Sequence, residues 1–109
     1  MPIPEISCEA LAQRLASPDG RPVLLDVRHP EEHAYAALPG SLHIPLHELE
    51  ERQDELTPLT GQEVVVYCHH GVRSLSGAAF LLSLGIDARS LAGGIDRWSL
   101  AIDPKVPRY

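Results

Sequence analysis

The sequence predicts an α/β fold, a mainly parallel sheet of four to five strands with helices on both faces. Three observations predict it. Strand-like runs recur near Val23, Leu42, Val64 and Arg89, and helix-like stretches alternate with them. The run Val64-Val65-Val66 has no polar interruption, as a strand buried on both faces of a parallel sheet requires. A chain of 109 residues suits one domain with one sizeable core.

Each element has a local reason. Ile3 to Ile6 is a short edge strand, because two prolines keep it from a central position. Ser7 is an N-cap for a helix over Cys8 to Ala16, with Leu11 and Leu15 four apart on its apolar face. Ser17-Pro-Asp-Gly20 is a turn, and Val23 to Val27 is a buried strand. Pro30 opens a short helix with acidic residues at its head, Pro30 to Ala36. Leu42 to Ile44 is a short strand that Pro45 ends, and His47 to Leu56 is expected as a charged helix. After the turn Thr57-Pro-Leu-Thr-Gly61 comes the central strand. Leu75, Ala78, Ala79 and Leu82 have helical spacing, so the helix from near Ser74 to Leu84 should face the sheet. Gly77 inside it costs about 1 kcal/mol relative to alanine, which close approach of helix to sheet would explain. Gly85 caps that helix. Ile86 to Leu91 holds the last strand, Gly93-Gly94 turns, and Ile95 to Leu100 forms a final helix with Trp98 as core anchor. The stretch 102–109 reads as an extended surface tail.

The chemistry centres on Cys68. It follows the central strand at the carboxyl edge of the sheet, where open α/β folds place their sites. Three features favour a thiolate there: the N-terminal end of the next helix, a glycine-containing loop able to turn N–H groups inward, and the permanent charge of Arg73. Arg73 also suits an anionic substrate, which it can hold by two hydrogen bonds. Asp26 and Arg28 lie at the end of the strand Val23 to Val27, which in a parallel sheet faces the same edge. They either support the site or tether the loops as an ion pair. His69 and His70 either tune the loop electrostatically or are exposed filler.

Val66-Tyr-Cys-His-His-Gly-Val-Arg-Ser74 resembles the active-site loop of rhodanese-type sulfurtransferases, six residues from Cys68 to Arg73. Leu24-Leu-Asp-Val-Arg-His-Pro-Glu-Glu-His33 with Leu38-Pro-Gly-Ser-Leu-His-Ile-Pro45 is similar to the family's amino-terminal signature. Leu91-Ala-Gly-Gly-Ile-Asp-Arg-Trp98 is similar to its carboxy-terminal one. The matches cover nearly the whole chain, which implies a single rhodanese domain over residues 1–109. The chain departs from the family at Ala36-Ala37, where Gly-His is usual, and at Ile102, where glycine is usual. The resemblance implies Cys68 as nucleophile, with His69, His70, Gly71, Val72, Arg73 and Ser74 binding substrate. It also implies a small anionic sulfur donor such as thiosulfate, and cyanide, a thiol or a protein as acceptor of the Cys68 persulfide sulfur. Phosphatases and arsenate reductases of similar architecture hold five residues between cysteine and arginine. Four intervene here, a loop suited to one sulfur more than to a phosphate. A sulfur-relay module for a partner protein is a further alternative.

Composition sets the remaining expectations. Net charge is −6 without a basic cluster, which argues against nucleic acid or an anionic membrane as partner. No apolar run nears the roughly 20 residues of a membrane span. Two cysteines and no export signal in Met1-Pro-Ile-Pro-Glu5 point to reduced thiols in the cytoplasm. No cofactor is expected. No metal is expected either: His69 and His70 are adjacent, so their side chains should diverge, and no paired Cys or His ligand motif is present.

Overall fold

The computed structural model describes residues 2–109; Met1, the start of the segment read as lacking an export signal, lies outside the described residues. Five strands, β1 (Glu5–Ile6), β2 (Val23–Asp26), β3 (Leu42–His43), β4 (Glu63–Tyr67) and β5 (Asp87–Leu91), form one sheet in the order β1-β5-β4-β2-β3. Every pairing is parallel. Helices α1 (Cys8–Ala16), α2 (Pro30–Tyr35), α3 (Gln53–Leu56), α4 (Arg73–Ser83) and α5 (Gly94–Ala101) connect them. Ser7 caps α1 as expected, accepting the Ala10 N–H at 3.0 Å.

The side-chain alternation of β4 divides the core. Val64, Val66 and Cys68 face one apolar cluster with Leu25, Val27, Ala78 and Leu81, under α4. Val65 and Tyr67 face a second with Leu11, Leu24, Ile95 and Trp98, under α1 and α5. Gly77 lets α4 close on the sheet: a Cβ there would stand 3.0 Å from Val66 Cγ1 and 3.3 Å from Val27 Cγ1.

Two expectations are corrected. His47 to Leu56 is not one helix. It is a 3₁₀ turn at Leu46–Glu48, a bend, and the single turn α3. Its charged side chains satisfy each other locally instead, with Arg52 held between Glu48 at 3.1 Å and Glu55 at 2.6 Å. The stretch 102–109 is not merely a surface tail. It turns at Asp103–Val106, buries Val106 in the second cluster, and is pinned by Ser99 Oγ donating to the Val106 carbonyl at 2.7 Å. That turn brings Tyr109 back to the carboxyl edge of the sheet.

Candidate active site

The parallel register sets the site. Asp26 pairs with Tyr67 across β2 and β4, so the ends of the two strands lie side by side, and Cys68 follows directly. Helix α4 begins at Arg73 with no side-chain cap. Its first N–H groups are therefore available to something else. One of them finds the sulfur: the Ser74 N–H donates to Cys68 Sγ at 3.3 Å, and the Gly71 N–H of the loop itself donates to it at 3.2 Å. Ser74 Oγ lies 3.4 Å from Sγ and 2.8 Å from Ser90 Oγ, which makes a buried hydroxyl chain from β5 to the sulfur. Cys68 itself is 1% exposed, so only a slender group can reach it.

The loop is inverted so that its N–H groups point inward, and α5 holds it that way. The outward carbonyls of Cys68 and His69 accept from the Ile95 N–H at 2.9 Å and the Asp96 N–H at 3.1 Å. Glycine is required on both sides of this contact. Gly71 sits at φ +94°, and a Cβ on it would meet the Gly93 nitrogen at 3.0 Å. A Cβ on Gly94 would overlap the Cys68 and His69 carbonyls.

Arg73 borders the loop, but its guanidinium is already engaged. Glu32 from α2 takes Nη1 at 2.7 Å and Nη2 at 3.0 Å. The hydrogen bonds from Arg73 hold the Glu32 carboxyl well below the usual carboxylate range, against the opposing effect of burial, with Tyr109 and the His29 N–H adding to the depression. The same pairing raises Arg73.

Asp26 and Arg28 are both fully buried beneath this surface. They form a fork: Arg28 Nε donates to Asp26 Oδ1 at 2.9 Å and Nη2 to Oδ2 at 2.8 Å. Arg28 also donates to the Ala36 carbonyl, and its Nη1 to Tyr109 Oη at 2.6 Å. Burial opposes the Arg28 charge, but these hydrogen bonds outweigh it and its pKa rises. His33 Nδ1 lies 2.8 Å from Asp26 Oδ2. The pair therefore tethers the loops, joining the end of β2 to the Ala36 carbonyl and to Tyr109.

His69 and His70 do not diverge as expected; their rings stack with centroids 3.8 Å apart. His69 is covered on its other face by the Tyr109 ring, 3.9 Å away and nearly parallel. Burial, followed by the neighbouring His70, pushes His69 below its ordinary value. His69, His70 and Asp96 each offer one metal-ligating atom, all within 4.8 Å of one another. Arg108 already pairs with Asp96 at 2.9 Å, which competes with any cation there. Val72 is 73% exposed beside the loop.

Sequence reasoning missed Glu32, Tyr109 and Ser90. Ser90 stands in the strand Asp87–Leu91 beside Arg89, where a serine is not singled out by any local pattern. Glu32 was legible only as part of an acidic helix head, and Tyr109 had no local signal. Cys8 is buried beside the Ala92 and Gly94 carbonyls at 3.7 and 3.8 Å, and burial foremost pushes its thiol up to about 11. Among the described residues, no helix is long and apolar enough to cross a membrane.

The chain is similar throughout to known proteins. The sequence profile of the Rhodanese-like domain matches residues 7–101. A sulfurtransferase of Allochromatium vinosum is 36% identical over 96 residues, covering 87% of each chain. The thiosulfate sulfurtransferase GlpE of Actinobacillus succinogenes is 39% identical over 88 residues, 80% of this chain and 78% of that one. The solved structure of the human single-domain sulfurtransferase TSTD1 superimposes with a TM-score of 0.77 at 33% identity, covering 90% of this chain and 96% of that one. A parallel five-stranded sheet that ends its central strand in an N–H-cradled cysteine, matched over almost its full length, places this chain in the family of rhodanese-like domains, among the sulfurtransferases.

Proposed function

We propose that this chain is one rhodanese domain over residues 1–109 that moves a sulfane sulfur from a small anionic donor such as thiosulfate through a Cys68 persulfide. The single observation that carries the reading is the convergence of the Gly71 and Ser74 N–H groups on Sγ, at 3.2 and 3.3 Å.

In the first half-reaction the Cys68 thiolate attacks the outer sulfur of thiosulfate. The S–S bond breaks with its electron pair on the departing sulfite, and a Cys68 persulfide remains. In the second, a nucleophilic acceptor (cyanide, a thiol or a protein thiol) attacks the terminal sulfur, and the bonding pair returns to Cys68 as thiolate. This is covalent nucleophilic catalysis with two separable halves. No general base is needed, because no proton is removed once the thiol is ionised. The inward N–H groups act as preorganised dipoles for the anionic sulfur, and Ser74 Oγ, backed by Ser90, adds a hydroxyl donor. Arg73 meets the donor's anionic end in competition with Glu32. His69, His70 and Val72 line the approach. Cys8 and Cys68 are unpaired, in keeping with a reducing cytoplasm. The four-residue spacing and the nearly closed loop favour transfer of one sulfur over phosphate or arsenate chemistry.

The test is intact-mass spectrometry after thiosulfate treatment without reductant, beside Cys68→Ser. A gain of one sulfur that cyanide removes, present only with Cys68, is the expected result. No gain with a reduced, alkylatable Cys68, or the same gain in Cys68→Ser, refutes the mechanism.

A further inference from the structure

Tyr109 does more than close off the fold. Its hydroxyl donates to Glu32 Oε2 at 2.7 Å and accepts from the buried Arg28 at 2.6 Å. It thereby couples two ion pairs, the buried Asp26–Arg28 fork and the partly buried Glu32–Arg73 pair at the loop. Its ring lies flat on His69 and stands edge-on to Tyr35 at 5.9 Å. The Glu32 carboxylate has four donors in all: both terminal nitrogens of Arg73, Tyr109 Oη, and the His29 N–H at 3.0 Å. A carboxylate satisfied in this way does not release its guanidinium readily. Behind the Tyr109 ring, His69 Nε2 is buried with no hydrogen-bond partner, a polar atom that the ring keeps from the solvent side.

We propose that Tyr109 is a specificity-determining positioning residue: by holding Glu32 on Arg73 and covering His69, it discriminates against small anionic reagents approaching Cys68. The inference rests on the sulfur-transfer reading for its consequence, since thiosulfate is such a reagent. The one guanidinium beside the loop is neutralised by a carboxylate at hydrogen-bonding distance, and an incoming anion meets that carboxylate as well. Tyr109 fixes this state from a segment that belongs to neither the loop nor α2. A donor that keeps its charge away from Arg73, or is neutral, is not penalised. Loosening Tyr109 lets Glu32 swing out and leaves Arg73 to the incoming anion.

The experiment reads Cys68 directly and needs no turnover. The rates of Cys68 alkylation by iodoacetate, an anion, and iodoacetamide, its neutral counterpart, are measured by peptide mass mapping, so that Cys8 does not contribute. Wild type is compared with Tyr109→Phe, Tyr109→Ala and Glu32→Gln. The ratio of anionic to neutral rate should rise in both Tyr109 variants. The rise should be smaller in Tyr109→Phe, which loses only the hydroxyl. It should reach about fivefold in Tyr109→Ala, the worth of roughly 1 kcal/mol for one partly exposed charge pair. Glu32→Gln should match or exceed it. A ratio unchanged in Tyr109→Ala overturns the proposal, whether or not Glu32→Gln moves, and so does a fall in both rates together without change in their ratio. Persulfide formation is scored separately by mass. A raised ratio with no persulfide in any variant would sink the sulfur-transfer reading and leave the role of Tyr109 standing. A persulfide with an unchanged ratio would do the reverse.

Discussion

Gly94→Ala is the most informative single substitution outside the loop. Gly94 begins α5 at φ +63°, and a Cβ there would lie 2.5 Å from the Cys68 carbonyl oxygen and nearer still to that of His69. The left-handed conformation alone costs alanine about 1 kcal/mol. The overlap adds roughly 1–3 kcal/mol, the usual cost of overpacking, because the obstacle is backbone and not the end of a flexible side chain. A total near 3 kcal/mol should lower the melting temperature by about 15 °C in a domain of this size. The loop must also retreat by about 1 Å to reach ordinary contact. That movement would break the Ile95 and Asp96 N–H bonds to the Cys68 and His69 carbonyls and shift the Gly71 N–H away from Sγ. A misplacement of about 1 Å in a reacting constellation can cost on the order of 100-fold in rate.

The assay is a thermal melt by circular dichroism together with the rate of persulfide formation, beside Gly40→Ala. Gly40 has φ +76° and nothing within 4 Å of the added carbon, so it reports the conformational cost alone. If Gly94→Ala proved no worse than Gly40→Ala in either measurement, the claim that α5 holds the loop inverted would be wrong.

Three further outcomes are expected. Arg73→Ala should lower kcat/KM for thiosulfate by about tenfold, since it removes a cation worth roughly 1.4 kcal/mol and leaves Glu32 uncompensated beside the donor; equal kcat/KM would remove Arg73 from the site. Glu32→Gln should cost about 1–2 kcal/mol of stability at neutral pH. Because the folded Glu32 carboxyl titrates below its ordinary 4.5, that contribution is present above the ordinary value and fades as pH falls through the folded one. Melting curves of wild type and variant should therefore converge on acidification, and a pH-independent gap would refute the assignment. Cys8→Ser should leave thiosulfate turnover unchanged, because the thiol faces the Ala92 and Gly94 carbonyls; a large loss would make Cys8 a second sulfur carrier.

The parts of this molecule that were legible in the sequence are those fixed by short-range chemistry. The apolar run of β4, the Ser7 cap and the Gly77 notch announce themselves within a few residues, and strand–cysteine–glycine–arginine–helix is a local sentence. The failures share a cause. His47 to Leu56 has helical composition, yet its leucines Leu49 and Leu56 bury in the apolar cluster under α4, and tertiary packing overrides propensity. Adjacent histidines diverge on a regular strand or helix, but not in a loop whose carbonyls are turned outward. Glu32 and Tyr109 lie 41 and 77 residues from their partners Arg73 and Glu32, and nothing in the neighbourhood of either residue announces that meeting.

That long-range pairing changes the account of how the loop stabilises an anion. Arg73 read alone is the cation of the site. In the fold, the arginine of the loop is neutralised, Arg73 by Glu32, and the arginines around it are paired as well, Arg28 with Asp26 and Arg108 with Asp96. What remains uncompensated at Sγ is a set of dipoles, the Gly71 and Ser74 N–H groups and the Ser74 hydroxyl. Dipoles fixed by backbone geometry act over a few ångströms and fall off faster than a charge. Such a cradle favours negative charge on the one sulfur that sits in it and offers little to charge elsewhere on a substrate. Under the proposed sulfur transfer, selectivity of the loop for a single terminal sulfur would follow from the pairing of its arginine as much as from its length.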